Sequence, residues 1–429
     1  MDSTDPTPTK NRIFYGWWIV IAGGIGMSIS SGLTNMGFTN FIIPLTREFG
    51  WSRTVISTVF SLARLESGLI GPIEGWAVDR IGPRKLMLVG MPLMGLGFVL
   101  MSQVGNLLTF SLVFIFLITL GKSLGSGAPV TATVVNWFQR RRGLVFGIMW
   151  SGVGLGGLFV PVLGWAVDEY GWRTASMIIG ICIVVVGVPI ATVMRHRPEP
   201  YGYYPDGMEP EERPASEGSP RLVMPALSRE FSAREALATS SFWFLTLSIA
   251  ARSLGTGGIG LHLVPYLVGL GASPVRAAAL AGAVGLMSIP GRFGISTLGD
   301  YVDRRYLMAA SLGAMSVAIV FMATADRIGQ VVPVLIAFAM SQGGIAVIPK
   351  AIIADYFGRG SYATIHGFSG SVQMFGIIIG PIIAGYVFDK TDSYSTAFLS
   401  FSVATLVSLV LVLLASPPVR VSRRGRLGA

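Results

Sequence analysis

A run of about twenty apolar residues is long enough to cross the hydrocarbon core of a bilayer as a helix. This chain of 429 residues presents such runs one after another along almost its whole length. Helical spans are expected over residues 16–44, 52–77, 86–103, 108–136, 144–166, 173–194, 239–267, 274–299, 306–324, 329–353, 361–387 and 395–415. Only 13% of the residues are charged, against roughly a quarter in soluble domains. Polar surface for a water-soluble globule of this size is lacking. The expected fold is therefore an all-α membrane protein with twelve transmembrane helices.

The connections alternate in charge. Lys10 and Arg12, "DRIGPRK" (79–85), "RRR" (140–142), the segment 195–238, "DYVDRR" (300–305) and "RVSRRGR" (420–426) fall on one side, with both termini. The uncharged "SQVGNLL" (102–108) and the sparsely basic "DEYGWR" (168–173) fall on the other. By the positive-inside rule both termini are cytoplasmic, in a multi-pass protein of the cell membrane. The net charge of +10 is then a topology signal, and no nucleic-acid partner is expected. Cys182 is the single cysteine, which excludes an internal disulfide and two-cysteine metal or redox motifs. The first fifteen residues lack the apolar core of a removable signal peptide.

Two glycine-rich motifs invite a nucleotide reading and fail it. "LITLGKSLGSG" (117–127) contains Gly-Lys-Ser, but Phe116 stands where a phosphate-binding loop needs its first glycine, and the surrounding run is apolar. "GVGLGG" (152–157) lies inside the fifth span without a preceding strand, where small residues let helices pack closely. No metal cluster or nucleophile triad is readable, so neither a cofactor nor an enzyme activity is expected.

The two halves of the chain repeat. "IIPLTREFGWS" (42–52) aligns with "LVPYLVGLGAS" (263–273), pairing Pro44 with Pro265, Gly50 with Gly271 and Ser52 with Ser273. "RGLVFGIMWSGVGLGGLFVPVLGWAVDEY" (142–170) aligns with "YATIHGFSGSVQMFGIIIGPIIAGYVFDK" (362–390), pairing Gly147 with Gly367 and Pro161 with Pro381. The expected organisation is a tail (1–15), a six-helix half (16–194), a polar linker (195–238) with a short helix near 228–238, a second half (239–416) and a basic tail (417–429). Two such halves rock about a site between them, which is alternating access.

"GWAVDRIGPRK" (75–85) resembles the G-x-x-x-D-R-x-G-R-R signature of the major facilitator superfamily, with Gly75, Asp79, Arg80, Gly82 and Arg84 on its pattern and Pro83 departing from it. "LGDYVDRR" (298–305) is a degenerate copy in the second half. Within the superfamily, "WFQRRRGLVFGIMWSGVGLG" (137–156) and "FYGWWIV" (14–20) resemble the monocarboxylate-transporter and oxalate:formate-antiporter group. The resemblance implies a monomeric secondary transporter of a small organic anion, with Asp79 and Arg80 at a cytoplasmic gate. It also implies a substrate-carboxylate arginine in the eighth span, at Arg292. Proton-coupled relatives often carry an acid one turn before that arginine, where this chain has Ser288, and the antiporters carry a lysine in the eleventh span, absent from residues 361–387. A co-transported proton and an exchanged anion both stay open as coupling partners.

Ionisable groups inside spans are costly and mark function by default. At 1.5 Å per residue, Lys122, Arg64 and Arg252 lie roughly 18–21 Å deep and Arg292 roughly 12 Å. Arg292 and Arg252 align with Gly71 and Ser31 in the first half, so the fold alone does not demand these charges. Arg292, Arg252, Lys122 and Arg64 are the expected substrate-binding residues. Lys350 reads instead as a side chain snorkelling to the nearby helix end. Glu66, His262 and His366 are candidates for proton coupling. Two rival readings fit the same residues: efflux of drugs or transport of neutral solutes, with the cations as structural partners, and a membrane sensor or scaffold without net transport.

Overall fold

The computed structural model describes residues 14–207 and 230–418; most of the two tails and the middle of the linker lie outside them. All regular structure among the described residues is helical. The spans are Tyr15–Phe49 (span 1), Arg53–Ile81 (span 2), Pro83–Met101 (span 3), Leu107–Trp137 (span 4), residues 142–170 (span 5) and residues 172–193 (span 6). In the second half they are Ser240–Gly269 (span 7), Pro274–Leu298 (span 8), Arg304–Ala323 (span 9), Ile328–Phe357 (span 10), Tyr362–Thr391 (span 11) and Ser395–Leu414 (span 12). Each half packs chiefly on itself, through spans 3 with 6, 7 with 11, 8 with 10 and 9 with 12. The halves meet mainly along two seams, span 2 against span 11 and span 5 against span 8.

Local chemistry sets the helix ends. The Ser52 hydroxyl accepts from the Val55 amide at the start of span 2, and Ser273 accepts from Arg276 at the start of span 8. Each satisfies one of the amides that a helix start leaves open. These two serines are repeat mates, so the repeat extends to its caps. Spans 5 and 6 are joined without a loop at Gly171, whose φ of 76° is one that glycine takes without a Cβ clash. Large apolar side chains left exposed form stripes that face lipid, such as Leu69, Ile73 and Trp76 on span 2.

Two spans are less regular than the apolar pattern suggests. Span 1 passes through a π-helical segment, Ser31–Met36, and span 4 through another, Val113–Thr119. Span 4 also breaks at Ser126 (φ −140°, ψ −74°), whose hydroxyl lies 2.9 Å from both Ser30 Oγ and the Lys122 carbonyl. The irregular stretches of spans 1 and 4 thus meet beside Lys122. Such departures from the α-helical ladder are enriched at functional sites.

The first part of the expected linker is built structure. Residues 194–207 form a strap across the terminus-side ends of spans 1, 4 and 5. Trp137 Nε1 donates to the Arg195 carbonyl (2.8 Å) and Asn136 Nδ2 to the His196 carbonyl (2.9 Å). The Asp206 carboxylate accepts from the Gln139 and Arg140 amides, both at 3.0 Å. The Arg195 guanidinium sits 4.0 Å from the Tyr15 ring and 4.2 Å from the Tyr201 ring, a cation–π sandwich. Beyond the undescribed stretch, the short helix Ala233–Leu237 begins on a capping box of Ser232 and Glu235.

The strap also reaches the other half. Arg359, between spans 10 and 11, donates to Glu199 (3.1 Å) and to the Asn136 carbonyl (3.0 Å). A partly exposed ion pair is worth about 0.2–1 kcal/mol and a hydrogen bond about 0.5–1.5 kcal/mol. Arg359→Ala should therefore shift the balance several-fold toward a form open on the terminus side. Distances between spin labels on the two halves would report it, and an unchanged distribution would mean the strap does not bear on the gate. Burial and then the neighbouring Arg197 hold the His196 imidazole below its ordinary value, with Glu199 opposing. The strap docks with neutral His196, so its docking is undiminished above the ordinary imidazole value and weakens as the pH falls below it.

Candidate functional site

The seams between the halves are closed toward the side that carries both termini. On span 2, Gly75, Gly71 and Gly68 face span 11 so closely that an added Cβ would meet Ala363 O, Gly367 O and the Met374 side chain. Their spacing of three and four residues is one helix stripe. The repeat-related stripe on span 8 runs Ser296, Arg292, Ile289, and the glycines Gly143, Gly147 and Gly154 of span 5 press against it. One turn further along, each stripe loses its partner. Arg64 on span 2 is exposed, and a Cβ at Gly285 or Gly282 on span 8 would meet nothing. Both seams therefore part at equivalent depth, leaving a crevice that opens away from the termini.

The signature residues lie where the seams are tightest. The Asp79 carboxylate accepts from the Ala363 amide (3.1 Å), the Thr364 amide (2.8 Å) and the Thr364 hydroxyl (2.7 Å). These amides are in the first turn of span 11, whose own N-cap, Ser361, makes no side-chain cap. Asp300, the repeat mate, accepts from the Gly143 and Leu144 amides (2.7 and 2.9 Å) at the start of span 5, where Arg141 likewise caps nothing. Each half thus caps a helix of the other, with a carboxylate at the positive end of the helix dipole. Arg304 bridges Asp300 (2.7 Å) and Asp355, and Arg142 joins Asp355 from the first half (2.7 Å). Arg80 leans over the Trp76 ring, and Arg84 is exposed. Gly82 turns the chain with a φ of 95°, and Pro83, the departure from the signature, takes the first helical position of span 3, where proline is favoured.

The second half carries a cationic cluster at the floor of the crevice. Arg252 of span 7, Lys350 of span 10 and His366 of span 11 line one narrow cavity with Ser369 and Gln373. Lys350 Nζ sits 4.1 Å from the centre of the Trp150 ring, and Arg292 Nη1 donates to the Trp150 carbonyl at 3.0 Å. Lys350 is within electrostatic range of both Arg252 and Arg292. Every acidic residue of 239–416 (Asp300, Asp303, Asp326, Asp355, Asp389 and Asp392) lies at a helix end or in a loop. Arg252 is 6% exposed and donates no hydrogen bond among the described residues. Arg252 Nε, Arg292 Nε and Trp150 Nε1 are all buried without an acceptor. Orphaned groups at one place that are all donors call for a ligand that only accepts.

Lys350 is where the sequence reading needs correction. It lies seven residues from the end of span 10 at Phe357, and its amine turns away from that end, donating to the Ala346 carbonyl one turn back (2.5 Å). The signal that could have found it is the set of spacings on span 10, where Ala346, Pro349, Lys350 and Ile353 share one cavity-lining face.

The other expected residues separate into two groups. Lys122 and Arg64 are within electrostatic range of each other in the first half. Next to them Ser123 donates to Glu74, which is buried. Glu66 accepts from Ser67 (3.3 Å) and keeps its other oxygen buried without a donor among the described residues. His262 is elsewhere: its Nδ1 is 3.2 Å from Tyr394 Oη and its Nε2 is 3.2 Å from the Pro381 carbonyl, tying span 7 to span 11 and the start of span 12.

The chain matches the sequence profile of the Major Facilitator Superfamily over residues 20–328 and 269–428. It is 25% identical over 422 residues to monocarboxylate transporter 12 of Mus musculus, covering 92% of this chain and 85% of the relative. It is 24% identical over 406 residues to the oxalate:formate antiporter of Oxalobacter formigenes, covering 91% of each. Among solved structures, the human organic anion transporter MFSD10 superposes with a TM-score of 0.71 at 12% identity, over 92% of this chain and 99% of that one. With its two six-helix halves, its capped seams and this match along nearly the whole sequence, the chain belongs to the major facilitator superfamily.

Proposed function

We propose that this protein carries small organic anions, carboxylates foremost, across the cell membrane by alternating access, with both termini in the cytoplasm. The observation that carries this reading is the set of orphaned donors around Lys350, cationic or N–H throughout, on the floor of a crevice between the halves. A carboxylate offers acceptors only, and its charge offsets the desolvation of the cations it meets. The capped seams support a form closed toward the cytoplasm and open to the other side. Rocking would break the Asp79 and Asp300 caps and present the same floor to the cytoplasm. The relatives named for monocarboxylates and for oxalate and formate support the same solute class. No nucleotide is involved, and a proton or a second anion would supply the driving gradient.

Titration calorimetry of the purified protein tests the anion requirement. Acetate, lactate and malonate are compared with acetamide, lactamide and malonamide, which match them in shape but carry no charge. At least one acid should bind tenfold or more tightly than its amide, the scale of charge-assisted hydrogen bonds. Amides that bind as well as the acids would favour a neutral solute.

A further inference from the structure

The donors around Lys350 fall on two sides of it. On one side are Arg292 Nε and Trp150 Nε1, at the seam between spans 5 and 8. On the other is the cavity within the second half, where Arg252 is buried and has no hydrogen-bond acceptor among the described residues. Lys350 belongs to both, since it lines that cavity and its amine, held on the Ala346 carbonyl, sits over the Trp150 ring. The cavity wall adds His366, Ser369 and Gln373, all able to hydrogen-bond, and Gln373 is steadied by Ser253 (3.2 Å). At ≈ 20 Å³ the cavity has room for a small head group rather than a whole solute.

We infer that the Arg252 cavity is a second oxyanion seat beside that of Arg292, so that the floor of the crevice is built for a short dicarboxylate. The inference rests on the anion-transport reading and sharpens it to a solute class. One carboxylate would take Arg292 and Trp150, the other Arg252, with the Lys350 ammonium between them. Charge supports this choice. A monoanion would leave two of the three cations (Arg252, Lys350 and Arg292) without an opposite charge, and a dianion leaves one. The seats lie close together because Lys350 and Arg292 share Trp150 as a partner, which favours a chain of a few carbons at most.

The test is competition in proteoliposomes holding the full chain, with labelled malonate displaced by unlabelled oxalate, malonate, succinate, acetate or lactate. Malonate or oxalate should compete at least tenfold better than acetate, as one added charged contact allows. In Arg252→Gln the malonate-to-acetate affinity ratio should fall toward one. Arg252→Lys should restore part of it, since charge returns without the guanidinium fork. Wild-type protein that binds acetate or lactate as tightly as every dicarboxylate would overturn the second seat. So would a ratio unchanged in Arg252→Gln, while in either case the anion-transport reading stands. If no carboxylate exchanges at all, that reading itself falls. The wild-type comparison needs no variant, so poor folding of Arg252→Gln would not leave the question open.

Discussion

Asp79→Ala and Asp300→Ala should each move the protein roughly tenfold toward the form open on the terminus side, by losing a charged helix cap between the halves. Asp79 holds two amides and a hydroxyl of span 11, and Asp300 holds two amides of span 5. The caps sit on opposite seams and share no amide, so their effects should nearly add, and the double variant should shift by roughly a hundredfold. Spin labels at the exposed positions Lys85 and Tyr301, with Cys182 replaced by serine, would report the separation of the two loops. The double variant should show the longer distance as its main population. Distances that match the parent protein in all three variants would mean that the caps do not hold the gate.

Arg292→Lys should weaken carboxylate binding by about ten- to a hundredfold although it keeps the charge, because charged hydrogen bonds are worth about 1.5–3 kcal/mol. The guanidinium already spends one N–H on the Trp150 carbonyl at 3.0 Å and leaves Nε for the anion. A lysine ammonium cannot span both in one plane. Calorimetry with malonate measures the loss, and thermal unfolding separates it from damage to the fold. Wild-type affinity in Arg292→Lys would mean that Arg292 serves the seam between spans 5 and 8 alone.

Much of this architecture is legible in the residues, for identifiable reasons. Apolar runs, charge alternation and the repeat are properties of composition and order, so the spans and their pairing can be read without coordinates. Ser52 and Ser273 illustrate this, aligned as letters and then capping equivalent helices. Asp79 and Asp300 are only half legible. The repeat pairs their loops, but which helix each carboxylate caps depends on how the halves meet. Lys350 is misplaced by the apolar pattern for another reason. Its depth depends on where span 10 ends, and four further residues of helix place it inside the cavity. The π-helical segment of span 4, Val113–Thr119, leaves no mark in hydropathy, because apolar residues fill it as they fill regular helix.

Counterflow in sealed proteoliposomes tests the central claim most directly. Vesicles loaded with unlabelled malonate and diluted into labelled malonate, with no ATP present, should accumulate label transiently, faster than protein-free vesicles. Arg252→Gln and Arg292→Lys should slow that accumulation. Label that enters no faster than in protein-free vesicles, for malonate and for every other carboxylate of the panel, would contradict the account.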